Sequence, residues 1–237
     1  MELKKQELPE QTIHFWYCDF NKNRAKLEPY YALLSEDEKA RSGRFKFDRD
    51  KECYIISRGI LRLLLAGYSK QQPQDLHFDY TPYGKPFLSH DNAIKFNISH
   101  SGNMAVFAFV RNEEIGIDVE RIKDDFDLLE LAQSFFSTKE ILALEKQSKK
   151  DLPRAFYRCW TRKESFIKAE GSGLSFPLDQ FAVSLENDEQ AELLYTQWDS
   201  QEKEHWQLFS YVPARAYIAA VAIRSRTLGF HQYNWDA

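Results

Sequence analysis

The pair Asp118 and Glu120 in "GIDVE" is the first place where residue type and spacing suggest chemistry. Two residues apart on a strand, both carboxylates point to one face. Each raises the other's pKa unless a cation joins them. Ile115, Ile117 and Val119 are apolar, so one face of that strand is buried while the acids converge on the other. A second group lies in "WTRKESFIKAEGSG", where Glu164 and Lys168 are one helical turn apart and Trp160 is one turn earlier. All three share a helix face. Phe156, Phe166 and Ile167 on the same helix indicate that much of its surface is packed. A third group is Ser99 and His100 in "FNISHSG", placed where an apolar strand ends and followed by Ser101 and Gly102. Small hydroxyl donors beside an imidazole suit a phosphate oxygen. Lys85 in "YGKP", with Arg41, Arg44 and Arg58, can add positive charge. Taken singly, each group is ordinary: strand-end acids are commonly exposed, a Glu–Lys pair commonly lies on a surface, and a lone histidine is commonly structural.

Other chemistries are missing. The chain has no GxxxxGK(S/T), no HExxH, no GxSxG and no GxGxxG after a strand. No Cys/His spacing suggests zinc. Three acids without soft ligands favour a hard cation, and Mg²⁺ is typically held by carboxylates together with substrate phosphates and water. The motifs therefore point to a Mg²⁺–phosphate site ringed by basic residues.

Elements must bring these groups together. "TIHFWYC" (Thr12 to Cys18) is β-branched and aromatic and predicts a strand. Ser35 with Glu38, and Ser137 with Glu140, form two capping boxes, each opening a short helix. "RDKECYIISRGILRLLLAGY" has helical apolar spacing, with Arg58 and Arg62 on one face. "YTPYGKPFL" (Tyr80 to Leu88) predicts an ordered turn or loop. Strands are predicted at Ile94 to Ile98, Ala105 to Val110 and Ile115 to Glu120, with "RNEE" as a hairpin turn between the last two. Arg154 to Glu170 predicts a long helix with Pro153 at its start and Gly171 just past its end. "GSG" (Gly171 to Gly173) follows that helix and predicts a C-cap and turn. Four further strands are predicted at Phe181 to Leu185, Ala191 to Tyr195, Trp206 to Val212 and Tyr217 to Ile223. "NMAVFAFV" and "RAYIAAVAI" are alike in pattern and hint at two related α+β halves meeting near residues 110–125.

The chain has 237 residues, enough for one large domain or two small ones. With 43% hydrophobic and 15% aromatic residues it is globular in composition. A net charge of -4 supplies no overall field for nucleic acid, and no recognition motif is present. Cys18, Cys53 and Cys159 lie far apart, as expected of reduced thiols in a cytoplasmic protein. The N-terminal stretch has no apolar run of the signal-peptide kind, and "ILRLLLAGY" is too short for a membrane span.

Taken in order, "YGKPFL", "FNISHSG", "GIDVE" and "WTRKESFIKAEGSGLSFPL" closely resemble the motifs of the Sfp-type 4′-phosphopantetheinyl transferases. The resemblance implies transfer of the phosphopantetheine arm of coenzyme A to a serine of an apo acyl or peptidyl carrier protein, with release of 3′,5′-ADP. It also implies an α+β fold of two similar α/β halves about a pseudo-twofold axis. Residues 1–115 would contact the adenine and phosphates of coenzyme A, and residues 116–237 would supply the metal ligands and catalytic helix, in one compact unit. By resemblance, Asp118, Glu120 and Glu164 are ligands for Mg²⁺, or Mn²⁺, and Glu164 is also the base for the carrier serine. Lys168 contacts the pyrophosphate and the leaving group. Ser99 and His100 contact phosphate. Tyr83 to Leu88 line the adenine pocket, centred on Gly84, Lys85 and Pro86. Arg41 and Arg58 contact the nucleotide, while Glu38 stands where some members carry a basic residue. The expected state is a cytoplasmic monomer with no membrane or nucleic-acid partner. Fatty acid, polyketide and nonribosomal peptide carriers all remain open as partners. The stretch Ile122 to Phe136, with Phe126, Leu128, Leu129, Phe135 and Phe136, is a candidate carrier-docking surface. The reading from another class, a non-catalytic coenzyme A or nucleotide-binding regulator on the same fold, is disfavoured because all three acids and the lysine are present.

Overall fold

The structure, a computed structural model, describes residues 7–124, 127–171, 173, 176–225 and 229–237. The chain opens with strand β1 (Thr12–Asp19) and helices α1 (Phe20–Asn23), α2 (Leu27–Leu33), α3 (Glu36–Ser42) and α4 (Asp48–Ser69). Strands β2 (Phe78–Tyr80) and β3 (Pro86–Leu88) follow, then β4 (Ile94–Ser101), β5 (Met104–Arg111) and β6 (Ile115–Arg121). Next come α5 (Leu128–Phe135), α6 (Thr138–Glu145) and α7 (Leu152–Glu170). The last strands are β7 (Phe181–Val183), β8 (Leu193–Thr196), β9 (Gln207–Tyr211), β10 (Tyr217–Ile223) and β11 (Gly229–Asn234). The α+β class expected from the sequence holds.

Two sheets form the centre, ordered β11-β1-β5-β4 and β6-β10-β9. Ile13, Phe15, Val106, Ala108 and Val110 of the first pack against Ile117, Val119, Ala219 and Val221 of the second. Helix α4 covers the outer face of the first sheet, where Ile56 and Ile60 meet Phe107 and Phe109. Helix α7 covers the second, where Phe166 and Ile167 meet Ile218 and Ala222. The layers therefore run helix, sheet, sheet, helix. This order explains the unbroken apolar runs of β5 and β10, because strands buried on both faces do not alternate.

Two expectations fail here. The "RNEE" segment is no hairpin turn: β5 pairs with β4 and β1, while β6 pairs with β10 in the other sheet. Asn112, at a φ of 64°, turns the chain from one sheet into the other. The actual hairpin joins β4 to β5 at Gly102, whose φ is +60°, and β4 continues through His100 to Ser101. Strand β11 was not foreseen; it pairs in parallel with β1. "YTPYGKPFL" carries the small β2–β3 hairpin, turned by Gly84 at a φ of +82°.

Both capping boxes form, and their glutamates do more than cap. Glu38, 1% exposed, also receives Arg58 and Arg62 from α4. Glu140, 1% exposed, receives Lys163 from α7 at 2.8 Å and the Val183 amide at 2.9 Å. In each case the short helix is fastened to the long one by a buried ion pair.

The C-terminal strand brings a titratable group into the core. His14 on β1, 3% exposed, stands opposite His231 on β11 and lies 2.9 Å from the Tyr68 hydroxyl. Trp16 Nε1 donates to the same hydroxyl at 2.9 Å, which leaves the Tyr68 proton for a neutral imidazole. Burial, then repulsion from His231, lowers the His14 pKa from 6.5 to about 4. The neutral form is the one the fold accepts, so this contribution is complete above pH 6.5 and disappears as pH falls through about 4. The loss is on the order of 3 kcal/mol. Urea unfolding of wild type and His14→Gln over pH 4–7 checks it: the wild-type stability should fall more steeply by that amount. No helix among the described residues is long and apolar enough to cross a membrane.

Candidate active site

Strand β6 and helix α7 carry the acids and the lysine. They lie unusually close because Gly116 has no side chain: a Cβ there would collide with the Ser165 carbonyl oxygen and the Ala169 nitrogen of α7. Pro153 near the start of α7 and Gly171 at its C-cap, with φ 75°, fix its ends as expected. The Gly171 amide donates to the Ile167 carbonyl at 2.9 Å. Gly173 is described, whereas Ser172 of "GSG" lies outside the described residues.

The three acids stand around one ammonium. Lys168 Nζ is 2.6 Å from Asp118 Oδ1 and 3.1 Å from Ser99 Oγ, and Ser99 Oγ donates to the same Asp118 oxygen at 2.8 Å. Asp118 Oδ2 and Glu164 Oε1 are buried with no hydrogen-bond partner among the described residues. Burial raises the Glu164 pKa from 4.5 to about 7; Lys168 opposes this, while Asp118 and Glu120 add to it. Glu120 is half-buried and accepts from Ser101 Oγ at 2.6 Å. Burial raises its pKa, against the Ser101 hydrogen bond, and the Asp118 charge raises it further.

Among the described residues no three His, Cys, Asp or Glu side chains are arranged so that they could hold a metal as they stand. Lys168 occupies the position against Asp118 that a cation would need. The donors themselves fit a hard cation: all are oxygens, and two are buried without partners among the described residues.

A cavity of about 530 Å³ opens over this group. Arg41, Arg58, Tyr83, Gly84, Lys85, Pro86, His100, Glu164 and Lys168 all line it. Ser99, Asp118 and Glu120 lie beside it. Several side chains point differently from expectation. Arg58 is held by Glu38 at 2.6 Å and reaches the Tyr80 hydroxyl at 3.4 Å, so only part of its charge is free for a ligand. The Lys85 ammonium turns to Glu114 and the Ile115 carbonyl, both at 3.0 Å. Arg41 is exposed and lies 5.7 Å from the centre of the Tyr54 ring. His100 sits at the rim with its ring against Phe20, and partial desolvation, then Lys168, lowers its pKa. Trp160 leaves the acid site and stacks on Phe156 in the core.

Tyr54, Ser57 and Tyr80 line the cavity without having been singled out. Tyr54 is one helical turn before Arg58, so the spacing on α4 was the available signal. In the Ile122 to Phe136 stretch, Leu128 and Phe136 are core and Phe135 is 40% exposed, while Phe126 lies outside the described residues.

Comparison with known proteins matches residues 114–222 to a family described as the 4′-phosphopantetheinyl transferase superfamily. Residues 19–112 match one described as 4′-phosphopantetheinyl transferase, N-terminal. The chain is 35% identical over 214 residues to the 4′-phosphopantetheinyl transferase HetI of Nostoc sp., covering 89% of this chain and 87% of that protein. It is 34% identical over 181 residues to the 4′-phosphopantetheinyl transferase Sfp of Bacillus subtilis, covering 76% and 80%.

Proposed function

The chain belongs to the 4′-phosphopantetheinyl transferase superfamily, and on that premise we propose how its residues divide the work. The enzyme transfers the 4′-phosphopantetheine arm of coenzyme A to a serine of an apo carrier protein. The serine oxygen bonds to the phosphorus that carries the pantetheine, the pyrophosphate bond breaks, and 3′,5′-ADP leaves.

The observation that carries the assignment is the buried Glu164 carboxylate beside Lys168 and Asp118 at the floor of the cavity. A serine hydroxyl is a weak nucleophile and needs a base. In the metal-free protein burial lifts the Glu164 pKa to about 7, and its carboxylate is the base we assign to that proton. Lys168, one turn further along α7, directs its ammonium at the departing phosphate oxygen. Before substrate and metal arrive, Asp118 and Ser99 hold that ammonium, which would leave Asp118 as the cation enters. Asp118, Glu120 and Glu164 would hold Mg²⁺, with Mn²⁺ as a substitute. When bound, such an ion neutralises the pyrophosphate charge that would repel an incoming nucleophile. Tyr83, Gly84, Lys85 and Pro86 wall the nucleotide end, and His100, Ser99, Arg41 and Arg58 supply positioning contacts to its phosphates. Phe135, 40% exposed, offers a carrier an apolar contact. The protein works as a monomer in the cytoplasm, a reading supported by its three free buried thiols and by one chain carrying every assigned group.

The test is to incubate the protein with coenzyme A, Mg²⁺ and a panel of apo carriers from fatty acid, polyketide and nonribosomal peptide synthesis, and to weigh the carriers. At least one should gain the mass of one phosphopantetheine arm. No gain on any carrier would overturn the assignment, and the pattern of gains would identify the pathway.

A further inference from the structure

Strands β4 and β6 are edges of different sheets, and no backbone ladder joins them. Side chains at alternate positions of β4 bridge the gap. Asn97 Oδ1 accepts the Ile117 amide at 2.9 Å, Ser99 Oγ donates to Asp118 at 2.8 Å, and Ser101 Oγ donates to Glu120 at 2.6 Å. We infer that Ser101 is a positioning residue: its hydroxyl fixes the Glu120 carboxylate for the divalent cation. The inference rests on the metal role proposed above.

Asp118 and Glu120 differ in what holds them. Asp118 has a short side chain gripped by both Ser99 and Lys168. Glu120 is longer, only half-buried, and near the end of β6. Among the described residues, Ser101 is the hydrogen-bond partner that its carboxylate has. The direction of that bond is also set. The Arg121 amide donates to Ser101 Oγ at 3.1 Å, so the hydroxyl proton is left to point at Glu120 Oε2. Glu120 Oε1 has no hydrogen bond or ion pair among the described residues, and it remains available as a ligand.

Ser101 is itself well placed by its surroundings. The adjoining turn is clamped to the second sheet: the Asn103 amide donates to the Tyr217 hydroxyl at 3.0 Å. A Cβ on Gly102 would meet that hydroxyl at 2.7 Å, so the two sheets touch directly at the turn. Tyr217 in turn stands opposite Arg121 in the β10–β6 register. The hydroxyl thus reaches Glu120 from a fixed point on the other sheet. Groups that orient metal ligands typically change metal affinity by about 10- to 100-fold when removed.

The test is Mn²⁺ binding in the presence of coenzyme A, followed by the electron paramagnetic resonance signal of free Mn²⁺. It compares wild type, Ser101→Ala, Ser101→Thr and Ser101→Val. Threonine and valine match in shape and strand propensity and differ in the hydroxyl. Ala and Val should weaken Mn²⁺ binding about ten-fold, and Thr should stay within about two-fold of wild type. Wild-type affinity in Ala and Val would overturn the inference, and so would a loss in Thr as large as that in Val. No Mn²⁺ binding by the wild type would instead overturn the metal reading, and the inference with it.

Discussion

Glu164→Gln is expected to cut phosphopantetheine transfer by about 10³-fold while making the metal-free protein more stable at pH 8. The amide keeps the shape of the side chain but can neither take a proton nor offer a cation an anionic oxygen. The stability gain follows from the same burial that poises the base. The folded carboxyl titrates at about 7, above its ordinary 4.5, because burial penalises its charge. An acid with a raised folded pKa loses stability as pH rises through that window, since the unfolded chain ionises first. The amide has no such penalty, so its advantage above pH 7 is on the order of 3 kcal/mol and vanishes below pH 4.5. Carrier mass against time, and melting temperature at pH 4 and pH 8, check both halves. Full activity would remove Glu164 from the base and ligand roles. Equal melting temperatures at pH 8 would mean that the carboxylate is better solvated than its burial implies.

Gly116→Ala should do comparable damage without touching any acid. The new Cβ would meet backbone atoms of Ser165 and Ala169, with the Lys168 carbonyl carbon 2.9 Å away. A flexible side chain could move aside, but the backbone of a packed helix cannot. Overpacking of this kind costs about 3 kcal/mol. The strain is relieved only by lifting α7 off β6, which separates Glu164 and Lys168 from Asp118. A displacement near 1 Å at a reacting group can cost on the order of 10²-fold in rate. Urea unfolding and the transfer rate of the folded fraction measure the two effects separately. A variant with wild-type stability and rate would show that strand and helix are not in such close approach.

Glu164 and Gly116 differ in how far the sequence reveals them. Glu164 announced itself through its helical spacing to Lys168 and through the resemblance of its motif. Gly116 sits inside the quoted "GIDVE", yet nothing in the string says that a helix backbone crosses directly above it. Its φ is not in the left-handed region, so no turn requires a glycine there. Only the packing distance between two elements, about 50 residues apart in sequence, accounts for it.

The sequence by itself determined what is local or periodic. The capping boxes at Ser35 and Ser137, the long helix running to the Gly171 cap, and the apolar strands all arise from interactions within a few residues. The four ordered motifs also carried the family and hence the reaction. The tertiary structure alone decided which strands pair. Asn112 to Glu114 is short enough for a hairpin, but strands buried on both faces show no alternation from which a partner could be inferred. Strand β6 finds its partner β10, and β1 its partner β11, at the far end of the chain. Tertiary structure also decided where charges go. Glu38 meets Arg58 and Arg62, and Lys168 meets Asp118, because a buried charge must find an opposite charge or hydrogen bonds wherever the packing brings one close. Residue type says that such a partner is needed, whereas only the assembled layers say which residue it is.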